Sequence, residues 1–417
     1  MKLLLVVSVF LTSAFGATAA SLGSEYNGYK VFRIPTTEEN HARVVDLINE
    51  LHLDTWKFPK KVGFAADVVV PLEQISSFEK ATAGLTIEVM HEDLGASIEA
   101  ESAVASTFEA GNPNSTWFDT YHSYEEHQQF LKDLQTQYLS NSELIIAGNT
   151  YEGRPIQGIH IWGSRGKGKP GVVWHGTVHA REWITTMVVE YLTWSLLSQQ
   201  NDPAVKGILD KHDFFIFPIA NPDGFVFSQR VRRLWRKSRQ PSKLLCVGTD
   251  LNRNYPHQWG ERGSSARLCA ATFRGLGPGD APEVQAHIRV MQDIARSQGG
   301  KMYVDWHSYS QLFLTPYGHS CDKRASNHEK HMELANVFAQ ALGAVHGTAF
   351  KVGPTCNTLY QISGDSVDWA VDVGKFELAF AAELRDTGWY GFIIPPQQIR
   401  PSGEEAWAGI KALMERM

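Results

Sequence analysis

Apolar and polar positions change rhythm several times along the chain, and each rhythm predicts an element. Residues 29–34 (YKVFRI) alternate with the period of a half-buried strand. Thr36 followed by Glu39 makes a capping box, and Val44, Val45, Ile48 and Leu51 then recur at helical spacing. A strand is predicted over 64–70. Pro71 opens a second helix carrying Leu72, Ile75 and Phe78, and a third strand is predicted over 85–89. The order β-α-β-α-β predicts a small α+β open sandwich of helices on an antiparallel sheet, within residues 20–92. From Asp93 to Asn114 the chain turns to Ala, Ser, Glu and Gly without apolar periodicity. Residues 93–116 therefore read as a linker.

A larger unit is predicted over 117–417. It opens with a second capping box, Ser123 to Glu126, ahead of Phe130, Leu131 and Leu134. Strand-like runs at 144–147, 156–161, 171–175, 214–218, 302–306 and 379–384 then alternate with helical stretches. The alternation predicts an α/β fold: a mixed, mostly parallel sheet with helices on both faces.

Composition adds three points. Lys2, an apolar core from Leu3 to Phe15 and the small-residue run Ala17-Thr18-Ala19 predict a secretory signal over 1–19. That core is too short to span a bilayer comfortably, so a secreted, extracellular protein with no membrane association is expected. The net charge of −6 is unevenly spread. Residues 21–112 carry fifteen acidic groups against seven basic ones, and the remainder is near neutral. An acidic segment of this kind suits a detachable cover over a cationic site. In an oxidising compartment the four cysteines are expected to pair, and their number allows three pairings. Asn114-Ser115-Thr116 is a glycosylation acceptor pattern.

The chemistry centres on His179-Ala180-Arg181-Glu182, which follows the strand-like Gly171–His175 run. A His and a Glu three apart on the first turn of a helix project from one face. Imidazole nitrogen and carboxylate oxygen together suit zinc, and a catalytic zinc takes three protein ligands. His307, ending the Tyr303–Trp306 strand, is the candidate third ligand. His175 and His160 fall within strands and read as structural. The cluster Arg232, Arg233, Lys237 and Arg239 lacks interleaved aromatic residues beyond Trp235, which argues against nucleic acid as a partner.

Seven segments, in order, resemble zinc metallocarboxypeptidases of the pancreatic carboxypeptidase A/B family. They are HARE at 179–182, NPDGF at 221–225, RRLWRKSR at 232–239, DLNRNY at 250–255, HSYSQL at 307–312, LYQISGDSVDW at 359–369 and ELRDTG at 383–388. The segment before residue 93 resembles the family's activation domain more loosely. The resemblance implies one zinc ion per chain, held by His179, Glu182 and His307. It implies Glu383 as general base, and Arg236 as donor to the oxyanion. Asn252 and Arg253 then clamp the substrate's terminal carboxylate, Tyr360 caps it, and Arg181 contacts residues upstream of the cut. Disulfides Cys246–Cys269 and Cys321–Cys356 are implied as well.

Val367 matches the residue at the base of the family's specificity pocket. As an apolar residue it implies release of hydrophobic or aromatic C-terminal residues. Asp365, two positions earlier, departs from the small residue usual there, and a preference for Lys or Arg is the alternative it raises. A catalytically silent peptide-binding protein is a second alternative. The expected partners are peptides or proteins with a free C-terminus and an activating endoprotease. No Lys or Arg occurs between Lys80 and Lys132, so that protease is not specific for basic residues. A monomer is expected.

Overall fold

A computed structural model of the 417-residue chain describes residues 21–103, 109–243 and 246–417. The predicted signal segment, 1–19, lies outside the described residues. Among those residues no helix is long and apolar enough to cross a membrane.

The N-terminal unit is a four-stranded antiparallel sheet. Its strands are β1 (Lys30–Ile34), β2 (Asp54–Lys57), β3 (Ala66–Val70) and β4 (Glu88–His91), in the order β2-β3-β1-β4. Every residue of β3 is buried, which a one-sided sheet does not explain. The two-residue period sends Val68 and Val70 to the helices His41–Glu50 and Ile75–Ala81, where Phe32 and Phe78 stack at 4.7 Å. The same period sends Val69 the other way, with Val31 and Trp56, onto Tyr309 and Phe392 of the large unit. Both faces of this small sheet are thus covered.

Four sequence expectations are corrected here. Strand β2 is short and polar, and no alternation announced it. The third expected strand, 85–89, forms later, at Glu88–His91. Thr36 does not cap the first helix. Asn40 stands at its N-cap, and the Thr36 hydroxyl donates instead to the Phe64 carbonyl. The stretch read as linker contains a helix, Leu94–Ser102, whose N-cap Asp93 accepts a hydrogen bond from the Ala96 amide at 3.0 Å. Its buried stripe runs Leu94, Ile98, Glu101. The third member is an acid, so the apolar period is broken in the sequence.

Glu101 is 2 % exposed because it pairs bidentately with the fully buried Arg233, at 2.6 and 2.8 Å. Arg233 also donates to the Arg181 and Phe392 carbonyls.

The large unit is built on eight strands. These are β5 (Ser142–Asn149), β6 (Pro155–Ile161), β7 (Gly171–Gly176), β8 (Asp213–Phe217), β9 (Gly300–His307), β10 (Leu312–Thr315), β11 (Lys351–Pro354) and β12 (Leu378–Glu383). Their order is β11-β10-β12-β9-β7-β8-β6-β5, and the central run β12-β9-β7-β8 is parallel. The mixed, mostly parallel sheet expected from the sequence is present. Strands β10 and β11 were not anticipated, being only four residues each.

Central strands bury both faces. Met302, Val304 and Trp306 join the core under helices Trp183–Ser198, His328–His346 and Ile399–Arg416. Tyr303 faces the other side with Val173, Ala379 and Ala381, under Pro282–Ser297 and Ser366–Asp372. The two-residue period therefore places Asp305 and His307 on the Tyr303 side, and Glu383 on the Ala381 side of its neighbour. In the parallel register Glu383 lies directly beside His307. The structure bonds Cys246 to Cys269 and Cys321 to Cys356.

Removing one partner of a buried ion pair strands the other charge, typically at a cost of about 3–5 kcal/mol. Glu101→Ala is therefore expected to lower the unfolding temperature of the full chain, read by calorimetry. An unchanged temperature contradicts this account of the Arg233 site.

Candidate metal centre and substrate cleft

Strand β7 ends at Gly176, and the chain turns sharply through Thr177, which adopts φ 51°. The Thr185 hydroxyl holds that turn by accepting from the Thr177 amide at 2.8 Å. His179 and Glu182 lie in this turn, with Glu182 at the N-cap of Trp183–Ser198. They do not sit on the helix's first turn as expected from the sequence. A backbone bond from the Glu182 amide to the His179 carbonyl (3.1 Å) brings the two side chains together instead. The segment 232–239 braces the turn, with the Ala180 amide donating to the Arg236 carbonyl. Asn221 ties both together by donating to the carbonyls of Val178 and Lys237.

His307 arrives from the end of β9. His179 Nδ1 is 2.8 Å from Glu182 Oε1, and His307 Nδ1 is 3.2 Å from both His179 Nδ1 and Glu182 Oε2. These ligand atoms lie within 4.8 Å of one another. Each imidazole turns its other nitrogen to a buried carboxylate: His179 Nε2 to Asp250 (3.1 Å) and His307 Nε2 to Asp305 (3.1 Å). This arrangement fixes ring orientation and leaves both Nδ1 atoms converging on one point, as a zinc ligand set requires. The donor set fits zinc: two imidazoles and a carboxylate, with the cleft open on the fourth side.

The electrostatics agree. Burial alone would raise the Glu182 carboxyl, but the His179 charge and bonds from both histidines outweigh it and hold it well below the usual range. Burial would likewise raise Asp250, yet Arg236, Arg253 and His179 keep it ionised. Glu383 differs. Burial, with the Glu182 charge adding to it, pushes its carboxyl up to about 7 against the pull of His307, Lys57 and Arg236.

The remaining expected residues converge on one cleft of about 480 Å³, lined by His179, Arg181, Glu182, Arg236, Asn252, Arg253, His307, Tyr360, Asp365, Val367 and Glu383. Arg236 is aimed by Asp250, to which its Nε and Nη2 donate at 3.2 and 3.0 Å. Its Nη1 stands 3.7 Å from Glu182. Arg253, 2 % exposed, is set by bonds to the Gly263 and Asn252 carbonyls. The Asn252 amide nitrogen is 3.2 Å from His307 Nε2, and its oxygen accepts from the Ser366 amide. The Arg181 guanidinium lies 3.9 Å over the Phe392 ring, and burial, then Arg236, lowers its pKa to about 10. Val367 is buried at the cleft wall. His160 sits apart, between Glu143 and Asp213. His175 lies beneath the site against His287 and Tyr303.

Sequence reading missed two groups of residues here. Asp250 and Asp305 orient the ligands, and Asp305 had a signal: it shares a strand face with His307. Arg33, Thr55 to Phe58, Lys60 and Gly63 to Ala65 of the N-terminal unit roof the cleft, and no pattern announced them. Lys57 Nζ lies 4.2 Å over the Tyr309 ring, and Lys60 Nζ 4.4 Å over the Tyr360 ring. Arg33 and Tyr309 share the Asp67 carboxylate, and Lys61 donates to the Cys356 carbonyl.

A family model described as zinc carboxypeptidase matches residues 127–409, and one described as carboxypeptidase activation peptide matches 32–101. The chain belongs to the zinc carboxypeptidase family. It is 52 % identical over 414 residues to a Metallocarboxypeptidase A of Trichophyton rubrum, covering 98 % of each. A carboxypeptidase A structure from Helicoverpa armigera superposes with a TM-score of 0.81 at 28 % identity, covering 93 % of this chain and 97 % of that one. The structure of thrombin activatable fibrinolysis inhibitor does so with a TM-score of 0.86 at 26 % identity, covering 94 % and 98 %. This zinc carboxypeptidase thus carries its activation peptide, and the peptide lies across the cleft.

Loss of a carboxylate behind a ligating imidazole typically weakens metal affinity about 10- to 100-fold. Asp305→Asn is expected to do so for zinc, measured by competition with a chelator. Unaltered affinity refutes the orienting role.

Proposed function

We propose that this zinc carboxypeptidase is a secreted zymogen that hydrolyses the last peptide bond of peptides and releases hydrophobic or aromatic residues. The observation that carries the reading is that Arg253, Glu383 and the His179/Glu182/His307 centre open on one cleft with an apolar wall at Val367. Zinc, when bound there, polarises the scissile carbonyl and acidifies water.

The chain's own residues do the rest. Arg253 receives the terminal carboxylate, for which a planar guanidinium is suited, with Asn252 beside it. Tyr360 covers the bound end, and Arg181 meets the peptide further upstream. Glu383 takes the proton from the attacking water and returns it to the leaving amine. Arg236, preset by Asp250, donates to the oxyanion, a role for which loss of one donor typically costs about 100- to 1000-fold. The need for a free carboxylate separates this reading from an endopeptidase, and the complete set of groups argues against a silent binding protein.

Two features bear on the finer points. Burial, then the charge of Asp368, pushes the Asp365 carboxyl well above the usual range, which disfavours its charged form. That favours apolar over basic terminal residues. The absence of Lys and Arg between Lys80 and Lys132 favours an activating protease of another specificity.

Glu383→Gln is expected to keep one zinc per chain while kcat falls by about 100- to 10,000-fold. Retained turnover removes Glu383 from its role. The base works only when ionised, so kcat/KM of the wild type should fall as pH drops and this carboxyl takes a proton. The midpoint is expected at or below about 7, because a cation in the metal centre lowers it. A profile flat down to pH 4 contradicts the assignment. Amidating the C-terminus of a test peptide should abolish its cleavage, and continued cleavage would favour an endopeptidase.

A further inference from the structure

Asp365 uses only one of its two carboxyl oxygens. Oδ1 caps the helix Ser366–Asp372 by accepting from the Asp368 amide at 2.9 Å. Oδ2 is buried and has no partner among the described residues. The side chain is 6 % exposed and lines the cleft. Buried polar atoms are normally paired, and leaving one unpaired typically costs about 1–3 kcal/mol. An unpaired, buried oxygen on a side chain that lines the cleft is therefore a place where a bound group that enters the corner can complete the bonding.

The space beside it is defined by a missing side chain. A Cβ at Gly318 would stand 3.3 Å from Asp365 Oδ2, 3.4 Å from Ile362 Cβ and 3.5 Å from Thr355 Cγ2. Glycine keeps that corner open. The cleft wall also carries the apolar residues Leu314, Ile362, Val367 and Ala381. Asp368 is already occupied, taking bonds from the Gly318 and His319 amides and from His319 Nδ1. Thr355, also polar, donates to the Thr315 carbonyl, so Asp365 Oδ2 is the oxygen of this corner left without a partner among the described residues.

We propose that Asp365 is a specificity residue whose free oxygen bonds the phenol of a C-terminal tyrosine, so that the cleft selects tyrosine over phenylalanine. The inference rests on the carboxypeptidase reading above. A phenol suits the corner for two reasons. Its ring is a rigid apolar stem, matching the walls. Its hydroxyl both donates and accepts, so it pairs with the carboxyl in either protonation state. An ammonium ion would have to be stripped of water in the same apolar space, which is costly.

The test uses the full chain, zinc-loaded and nicked between its two domains. We would measure kcat/KM for N-blocked dipeptides ending in Tyr, Phe and Lys. Tyrosine is expected to exceed phenylalanine by about tenfold, the usual weight of one hydrogen bond. Asp365→Ser keeps an oxygen for the Asp368 amide but withdraws it from the corner, and the ratio is expected to fall to about one. A wild-type ratio near one, a ratio that survives in Asp365→Ser, or lysine preferred to both overturns the proposal. No turnover of any dipeptide would strike the carboxypeptidase reading instead. The proposal is then read by calorimetry, where N-acetyl-tyrosine should bind more tightly than N-acetyl-phenylalanine and lose that advantage in Asp365→Ser. Equal binding in the wild type overturns it.

Discussion

The carboxylate of Asp250 is fully buried, and its two oxygens are shared between His179, the Arg236 guanidinium and the Asn252 backbone N–H. A charge in that position persists only with such partners, because its desolvation is otherwise uncompensated. Its partners belong to three separate functional segments. One carries the metal turn, one the arginine aimed at the cleft, and one the Asn252/Arg253 pair. A single desolvated charge thus sets the relative positions of His179, Arg236 and the Asn252/Arg253 pair. Asp305 repeats the device from the opposite side, joining His307 to Ser366, the residue after Asp365. The cleft wall at Asp365 is thereby tied to the candidate metal centre through two short polar links.

Much of this was legible before the fold was known. Central strands read as apolar runs because both faces are covered, and the runs ending at His307 and Glu383 marked one sheet edge. What pattern could not supply was their neighbourhood. That comes from the order of the strands, in which β12 lies between β9 and β10, and from a register that sets Glu383 against His307. Glu101 shows the opposite failure. An acid at an inward position of the Leu94–Ser102 helix hid that helix, since its partner Arg233 lies 132 residues away. Asp365 was visible as an anomaly in its motif. Its orientation was not, because the same side chain serves both as helix cap and as cleft lining.

The N-terminal sheet solves a geometric problem in an economical way. Alternate residues of β3 point to the two sides, so the strand that stabilises the small unit also carries Asp67 and Val69 to the large one. Covering the cleft therefore needs no separate inhibitory arm. The same pleat supplies the core and the seal, while β2 and the turn after it bring Lys57 and Lys60 over two tyrosines of the large unit. Lys57 is pushed down to about 8 by its burial, and the nearby Asp67 and Glu383 charges oppose that shift. The contact thus costs the Lys57 ammonium part of its hydration, a cost that the Tyr309 ring beneath it offsets only in part.

The Arg233–Glu101 pair gives this contact a kinetic character. Glu101 belongs to the helix that ends at Ser102, so a cut in the connecting segment leaves it on the N-terminal fragment. Until then the two units share one chain, and their contact is insensitive to dilution. Afterwards they meet as separate molecules, and the tether's effective concentration, of millimolar order for short flexible links, is gone. Departure still requires an arginine buried under Trp183 to lose its counter-charge. Bond scission and exposure of the cleft are thus distinct events: the nicked pair separates at its own first-order rate, and dilution decides how far the fragments re-associate.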